Sequence, residues 1–124
     1  MSDEHFTPRE VVRVPKPWGH ELIWGKTDRY VGKVLHVNRG ESLSRQYHNV
    51  KDETLYLISG KIRLTLKWEE EERTVTMEVG DSYHIPPRLI HQIEAIEDSD
   101  IVEVSTPELD DVVRLADRYG RTGT

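Results

Sequence analysis

The stretch GESLSRQYHNVKDETLYLISG, residues 40–60, decides the fold, and it runs from one glycine turn to another. Gln46 and His48 are two positions apart, so on a β-strand their side chains point to the same face. Glu53 follows a polar connection and precedes the apolar run at 55–58. An amide oxygen, an imidazole and a carboxylate on one face suit a divalent metal. The alternative is a solvent-facing polar hairpin without chemistry, and this stretch alone leaves both open.

Composition narrows the class of protein. A chain of 124 residues suits one domain, and the absence of cysteine excludes disulfides and thiolate metal sites. The formal net charge of -6 disfavours nucleic-acid binding. No apolar run approaches the roughly 20 residues that span a membrane, and the polar, acidic N-terminus is not a signal peptide. We expect a cytoplasmic protein that binds neither nucleic acid nor membrane.

Short strands with turn signals between them fill most of the chain. In residues 61–68, Ile62, Leu64, Leu66 and Trp68 alternate with polar residues, which is typical of a strand. Strands are also expected at 11–14 (stopped by Pro15), 30–37, 55–59, 73–79, 82–85, 91–96 and 101–105. This pattern predicts an antiparallel sandwich or small barrel, with residues 1–10 as a flexible lead-in.

The C-terminal segment breaks the strand pattern. Residues 110–119, DDVVRLADRY, have acidic residues near the start and Arg118 near the end, and Gly120 follows. Acidic starts, basic ends and a glycine stop are helix signals. The segment is therefore predicted to be a short amphipathic helix.

A second motif supplies a further ligand. Residues 80–91, GDSYHIPPRLIH, combine a strand, a proline-stiffened turn and His91. Together the two motifs resemble the paired motifs of the cupin superfamily, in which histidine usually stands at the position of Gln46 and glycine at that of Arg88. The glutamine variant LSRQYHNVKDETLYLISG resembles the cupin domain of phosphomannose isomerases, particularly the stand-alone and type II forms.

Two more segments carry this resemblance, which spans residues 11–123. KPWGHE at 16–21 is similar to a signature near the start of that domain, and DDVVR at 110–114 is similar to its closing segment. The resemblance implies an all-β fold: a jelly-roll-like cupin barrel (a double-stranded β-helix), formed by residues 1–124 as one domain, with the short helix at its end.

The resemblance also implies that Gln46, His48, Glu53 and His91 bind one divalent metal. It favours zinc, while Mn, Fe, Co and Ni suit the same donors. The barrel interior is expected to be narrow and apolar, with open metal positions for water or substrate.

Phosphate recognition needs basic groups near the pocket. Arg114 is the first choice because it lies in the closing segment; an ion pair with an aspartate of the same helix is the alternative. Arg88 is either an anion ligand at the barrel mouth or simply exposed, and Lys33 shares a face with inner-strand residues. The full set of candidates is Lys16, Lys33, Arg45, Arg88, Arg114 and Arg121.

The proton carrier has three candidates, which are Glu103, His20 and a metal-bound water. Glu103 is a general base if it faces inwards. If it faces outwards, Val102 and Val104 fill the core, and this second arrangement is favoured. His20 follows Trp-Gly and is a candidate for a sugar site. His36 is expected to be packed or hydrogen-bonded, and His84 is expected to point away from the metal.

The implied function is metal-dependent isomerisation of a sugar phosphate, of the mannose 6-phosphate/fructose 6-phosphate type. Two alternatives stay open, because cupins host many chemistries. One is a non-catalytic metal-containing cupin that binds a sugar or sugar nucleotide, and the other is a metal-dependent dioxygenase. Strand edges and rim tryptophans suggest a homodimer.

Overall fold

The computed structural model describes residues 3–121. After a short 3-10 helix at Asp3–Phe6, the described chain forms strands only. They are β1 (Val12–Lys16), β2 (Gly19–Lys26), β3 (Val31–Val37), β4 (Arg45–Tyr47), β5 (Glu53–Ser59), β6 (Ile62–Trp68), β7 (Glu71–Met77), β8 (Ser82–Ile85), β9 (Ile90–Ala95), β10 (Ser99–Ser105) and β11 (Val113–Ala116).

The strands form two antiparallel sheets. One has the order β1-β2-β3-β10-β5-β8, and the other has the order β11-β4-β9-β6-β7. The expected alternation in β6 is present, since Ile62 and Leu64 are buried while Arg63 is exposed. Large apolar side chains from both sheets meet in one core, among them Leu35, Leu57, Leu64, Met77, Ile85 and Ile101. The predicted all-β barrel is confirmed.

The predicted C-terminal helix is wrong. Val113–Ala116 is strand β11, which pairs with β4 so that Val113 lies opposite Tyr47 and Arg114 lies opposite Gln46. Strand β4 otherwise has a free edge, and its backbone groups gain partners from β11. β-branched residues such as Val112 and Val113 also favour the extended backbone. Pairing with a distant strand therefore outweighs the local helix signals.

The N-terminal part differs in detail from the expectation. Strand β1 continues through Pro15 to Lys16 instead of stopping at the proline. It is an edge strand, where a proline costs no ladder hydrogen bond if its nitrogen faces away from β2. The flexible lead-in was predicted for residues 1–10, of which 1 and 2 lie outside the described residues. Within 3–121, no helix is long and apolar enough to span a membrane.

Candidate metal centre

Three predicted ligands meet between the two sheets. His48 follows the end of β4, Glu53 begins β5 and His91 lies in β9. The Nε2 atoms of His48 and His91 lie 2.9 and 3.3 Å from Oε1 of Glu53. One ligand atom from each of the three residues lies within 4.8 Å of the others. All three side chains are buried, so the cluster is held away from bulk water.

Backbone carbonyls fix the orientation of both imidazoles. Nδ1 of His48 donates to the carbonyl oxygen of Asp111 at 2.5 Å, and Nδ1 of His91 donates to that of Leu89 at 3.0 Å. Because a carbonyl can only accept, the proton of each neutral ring lies on Nδ1 and the Nε2 lone pair faces Glu53. Two lone pairs against a carboxylate oxygen repel unless a proton or a cation lies between them. The donor set therefore fits a divalent metal.

The turn at residues 86–89, which contains Pro86 and Pro87, connects His48 and His91 through hydrogen bonds. The Arg88 N–H donates to the carbonyl of His48 at 2.7 Å, and the Leu89 N–H donates to Pro86 at 3.2 Å. The same turn presents the Leu89 carbonyl to the ring of His91. Arg88 has φ of 77°, a left-handed conformation that glycine adopts without strain. This explains why the family pattern has glycine at this position.

Gln46 lies beside the cluster. It is opposite His91 in the pairing of β4 with β9. Together with Glu53 and His91 it lines a small cavity of about 10 Å³. Its Oε1 accepts a hydrogen bond from the Ser44 hydroxyl at 2.6 Å. Its role as a fourth ligand stays a prediction.

The electrostatic environment keeps Glu53 ionised. Burial alone would raise the pKa of its carboxyl group. The close contacts with His48 and His91, together with the charge of Lys51, outweigh burial and hold that pKa well below its ordinary value. Glu53 is therefore ionised at neutral pH, which is the form that a metal ligand requires.

A larger cavity of about 240 Å³ adjoins the cluster: His48 of the cluster lines it, and Gln46 lines both this cavity and the small one. The expectation of an apolar interior holds for the core but is wrong for this cavity, because buried charges line its wall. Lys33 lies 3.2 Å from Glu21 and 3.8 Å from Glu103. Lys51 lies 3.1 Å from Glu103 and 3.8 Å from Glu53. These contacts form a continuous chain of alternating charges from Glu21 to the cluster.

Glu103 faces inwards, so the favoured outward arrangement is wrong. Only 6 % of Glu103 is exposed, whereas Val104 is 46 % exposed. The two lysines compensate the buried carboxylate and make this orientation tolerable. Burial, reinforced by the neighbouring charge of Glu53, raises the pKa of Glu103 to about 7, against the pull of Lys51 and Lys33.

Lys51 is not among the site residues predicted from the sequence, although it lies between His48 and Glu53 in the first motif. Burial lowers the pKa of a lysine, but the charges of Glu103 and Glu53 outweigh this effect and raise the pKa of Lys51. It is therefore a charged group inside the cavity. The sequence signal that could have indicated this role is its position between two predicted ligands.

Of the predicted phosphate ligands, Arg114 and Lys33 line the cavity. The Nε of Arg114 is buried and has no hydrogen-bond partner among the described residues. The alternative, an ion pair along a helix, is wrong because the helix is absent. Lys33 is already paired with Glu21 and Glu103. Lys16 and Arg121 also line the cavity, and Arg121 is paired with Asp117.

Arg45 and Arg88 lie outside this cavity. Arg45 forms an ion pair with Glu72. Arg88 is exposed, donates to Oδ1 of Asn49 at 3.2 Å and lies 5.4 Å from the centre of the Tyr47 ring. Both side chains therefore have local partners away from the cluster.

His20 lies away from the cavity, on the outer face of its sheet. Its ring stacks on His36 with centroids 5.0 Å apart, while its neighbour Glu21 lines the cavity. Nδ1 of His36 lies 2.7 Å from Asp100, as expected for a hydrogen-bonded histidine. His84 is exposed and bonds Asp52 at 2.6 Å. Neither His20 nor His84 lines the 240 Å³ cavity.

Comparison with known proteins identifies the family. The family model of the cupin domain matches residues 33–106. The chain belongs to the cupin family. The sequence is 36% identical over 123 residues to the mannose-1-phosphate guanylyltransferase of Escherichia coli K12, and 33% identical over 126 residues to that of Salmonella montevideo. The alignments cover 95% of this cupin but only 24% and 25% of those proteins.

Solved structures agree on the fold. KdgF from a Halomonas species matches with a TM-score of 0.69 and 23% identity, over 89% of this cupin and 94% of KdgF. Oxalate decarboxylase from Bacillus subtilis, a protein with Mn(II) centres, matches with a TM-score of 0.74 and 16% identity, over 86% of this cupin and 30% of the decarboxylase. The expected resemblance to the phosphomannose isomerase type of cupin domain is confirmed by the curated relatives.

Proposed function

We propose that this cupin is a metal-dependent isomerase of a sugar phosphate, of the mannose 6-phosphate/fructose 6-phosphate type. One observation carries the proposal. The buried His–Glu–His cluster shares a cavity with an acid–base group, Glu103, and with an arginine, Arg114, whose Nε has no partner among residues 3–121. These are the three parts that an aldose–ketose isomerase of a phosphorylated sugar needs.

His48, Glu53 and His91 would hold the metal, with Gln46 as the proposed fourth ligand. Two imidazoles, a carboxylate and an amide suit zinc, and Mn, Fe, Co and Ni as well. When bound, the metal supplies Lewis-acid polarisation of the sugar oxygens at C1 and C2. The protein's own part is to keep Glu53 ionised and to hold both imidazoles with Nε2 facing Glu53.

Arg114 is the proposed phosphate ligand. Its Nε–H is buried in the cavity wall without an acceptor. A buried donor without a partner costs free energy, and an anionic oxygen would satisfy it with a charge-assisted hydrogen bond. Lys33 lines the same cavity, but its charge is balanced by Glu21 and Glu103.

Glu103 is the proposed proton carrier. Its pKa of about 7 lets the carboxylate accept the C2 proton of the aldose phosphate at neutral pH. The C2–H electron pair then forms the C1–C2 double bond of an enediolate. The proton on the Glu103 carboxyl group exchanges with solvent, and delivery of a proton from this group to C1, with transfer of the hydroxyl proton from O2 to O1, gives the ketose phosphate. No oxidant or second substrate is consumed.

The curated relatives support the ligand class. Their names contain mannose 1-phosphate, so a phosphorylated mannose is a reasonable ligand for the related domain. The chain spans about a quarter of those relatives. Guanylyl transfer is therefore not attributed to this cupin.

A second function is favoured by the ion pairs of Glu103. Its carboxylate is held by Lys51 and lies near Lys33, which restrains it as a mobile base. The same cavity would then bind a sugar phosphate or sugar nucleotide without turnover. A dioxygenase is the third possibility, since two histidines and one carboxylate also suit iron.

The test is exchange of the C2 proton with solvent. The metal-loaded protein is incubated with mannose 6-phosphate in D₂O, and loss of the C2 proton signal and appearance of fructose 6-phosphate are followed by NMR. Both are expected for the isomerase. Absence of exchange for any hexose or pentose phosphate, with binding retained, would establish the second function instead. Oxygen consumption by the iron-loaded protein would indicate the third.

The homodimer and the cytoplasmic location are also part of the proposal. Trp24, Tyr56 and Val104 are each more than 40 % exposed and come from the six-stranded sheet, which supports an interface there. Light scattering coupled to size-exclusion chromatography measures the mass. A monomer at micromolar concentration would contradict the dimer.

A further inference from the structure

Asp111 lies at the junction between the closing segment and the metal centre. Its backbone carbonyl accepts the Nδ1–H of His48 at 2.5 Å, although the two residues are 63 positions apart. The acceptor is a main-chain oxygen of a residue outside the proposed ligand set. The orientation of one metal ligand therefore depends on where the backbone of Asp111 is held.

The carboxylate of Asp111 fixes that backbone. It accepts three consecutive N–H groups, from Asn49 at 3.0 Å, Val50 at 2.7 Å and Lys51 at 2.9 Å. These residues form the loop between His48 and Glu53. One residue thus holds the loop through its side chain and the histidine ring through its main chain. The pKa of Asp111 is consistent with this: burial would raise it, but these three bonds lower it to about 2.

We propose that Asp111 is a positioning residue that sets the tautomer and orientation of His48 for the metal. The inference rests on the proposed metal site and extends it to a residue outside the ligand set. Partners of the distal nitrogen of a metal-binding histidine commonly change affinity by about 10- to 100-fold when they are lost. Here the partner of His48 is the main-chain oxygen of Asp111. The Asp111 side chain therefore acts indirectly, by holding the loop and with it the position of that oxygen.

The experiment compares Asp111→Ala and Asp111→Asn with Asp117→Asn. Asp117 is a matched control because its carboxylate also accepts a backbone N–H in the closing segment, from Arg121 at 2.8 Å. Zn²⁺ and Mn²⁺ are each titrated calorimetrically into the metal-free proteins. Asp111→Ala is expected to bind both metals about 10- to 100-fold more weakly. Asp117→Asn is expected to bind them as the wild type does.

A second readout needs no metal. Imidazole ¹⁵N spectra of the metal-free protein report which nitrogen of His48 carries the proton. The wild type is expected to show the Nδ1–H form, and Asp111→Ala a mixture of tautomers, with His91 unchanged. If Asp111→Ala does not fold, Asp111→Asn is used for both readouts, because it keeps the size and one acceptor oxygen.

The outcomes separate this inference from the proposed function. If the wild type binds no metal, the metal site fails, and the His48 spectrum alone decides the role of Asp111. An Asp111 variant that is folded, keeps the wild-type tautomer and binds metal as tightly as Asp117→Asn would overturn the inference.

Discussion

The Nζ atom of Lys51 lies 3.1 Å from Oε2 of Glu103 inside the cavity. Both groups are buried, and the pair continues on one side to Lys33 and on the other to Glu53. A charge in such a place is stabilised only by its neighbours. Replacing one member should therefore disturb the others, and the predictions below use pairs of variants to separate local chemistry from stability.

Glu103→Gln tests the proton carrier. The amide keeps the size of the side chain but cannot accept the C2 proton. We expect solvent exchange at C2 to fall by about 100-fold or more, with the metal content unchanged. Glu21→Gln is the control, because Glu21 pairs with Lys33 at the far side of the same cavity. Equal losses of exchange activity in both variants would indicate a general effect of disturbing the row of buried ion pairs from Glu21 to Glu53.

Metal removal tests the ligand cluster. A chelator should lower the melting temperature, because a ligand that binds only the folded state stabilises it by about 2.7 kcal/mol at 100 times its Kd. His48→Ala should lose this stabilisation together with the metal. His36→Ala should keep it, since His36 bonds Asp100 outside the cavity. A chelator response that is identical in wild type and His48→Ala would place the metal elsewhere.

Arg114→Ala tests the phosphate site. A hydrogen bond to a charged group contributes about 1.5–3 kcal/mol, which corresponds to about 10- to 150-fold in affinity. Binding of mannose 6-phosphate should weaken by this factor, while that of unphosphorylated mannose should not change. Arg45→Ala is the control, because its guanidinium pairs with Glu72 away from the cavity. Isothermal titration of both sugars into all three proteins measures the difference. Similar effects on both sugars would argue against a phosphate contact.

Gly60→Ala tests the turn that ends the first motif. Gly60 has φ of 89°, and a Cβ there would lie 2.3 Å from Oγ of Ser99 and 2.4 Å from the carbonyl of Asp98. Ser99 cannot move easily, because its hydroxyl donates to the carbonyl of Glu97 and accepts the N–H of Lys61. We expect a loss of unfolding free energy about 1–3 kcal/mol beyond that of Gly80→Ala.

Gly80→Ala is matched to this variant because it has φ of 96° and no atom within 4 Å of the added Cβ. It therefore measures the backbone strain alone, about 1–2 kcal/mol. Urea unfolding of the metal-free proteins compares them. Equal losses would show that the contact with Ser99 relaxes freely.

Asp117→Asn tests acid sensitivity. Burial would raise the pKa of Asp117, but hydrogen bonds from Arg121 lower it below the ordinary value of 3.8. An ionised group favoured by the fold stabilises it above the unfolded pKa and loses that effect as the pH falls. As the pH falls below the ordinary value of 3.8, the unfolding free energy of the wild type should therefore fall more steeply than that of Asp117→Asn. Parallel curves would contradict this.

The sequence predicted the strands with clean alternation and the convergence of three candidate ligands, because both follow from local spacing. In β6 the alternation of apolar and polar residues alone places Ile62 and Leu64 on the buried face and Arg63 on the exposed face. The two motifs contain His48, Glu53 and His91 in a recognisable order. These features depend on residues near each other in the chain.

The errors have a common physical origin in distant partners. Strand β11 forms because β4 offers it a free edge, which the composition of 110–119 does not reveal. Glu103 turns inwards because Lys51 and Lys33 compensate its charge, and alternation alone permits either face. The role of Asp111 depends on a loop about 60 positions away. Each requires knowledge of which segments become neighbours.

Gln46 lies directly across from His91 on the adjacent strand. In evolutionary terms, a single substitution, Gln46→His, would restore the imidazole that the common family pattern has there. The strand pairing would carry the new ring to the same wall of the small cavity without rearranging the backbone. With Gln46 as the proposed fourth ligand, the present cluster and a three-histidine cluster differ by one residue on the same scaffold.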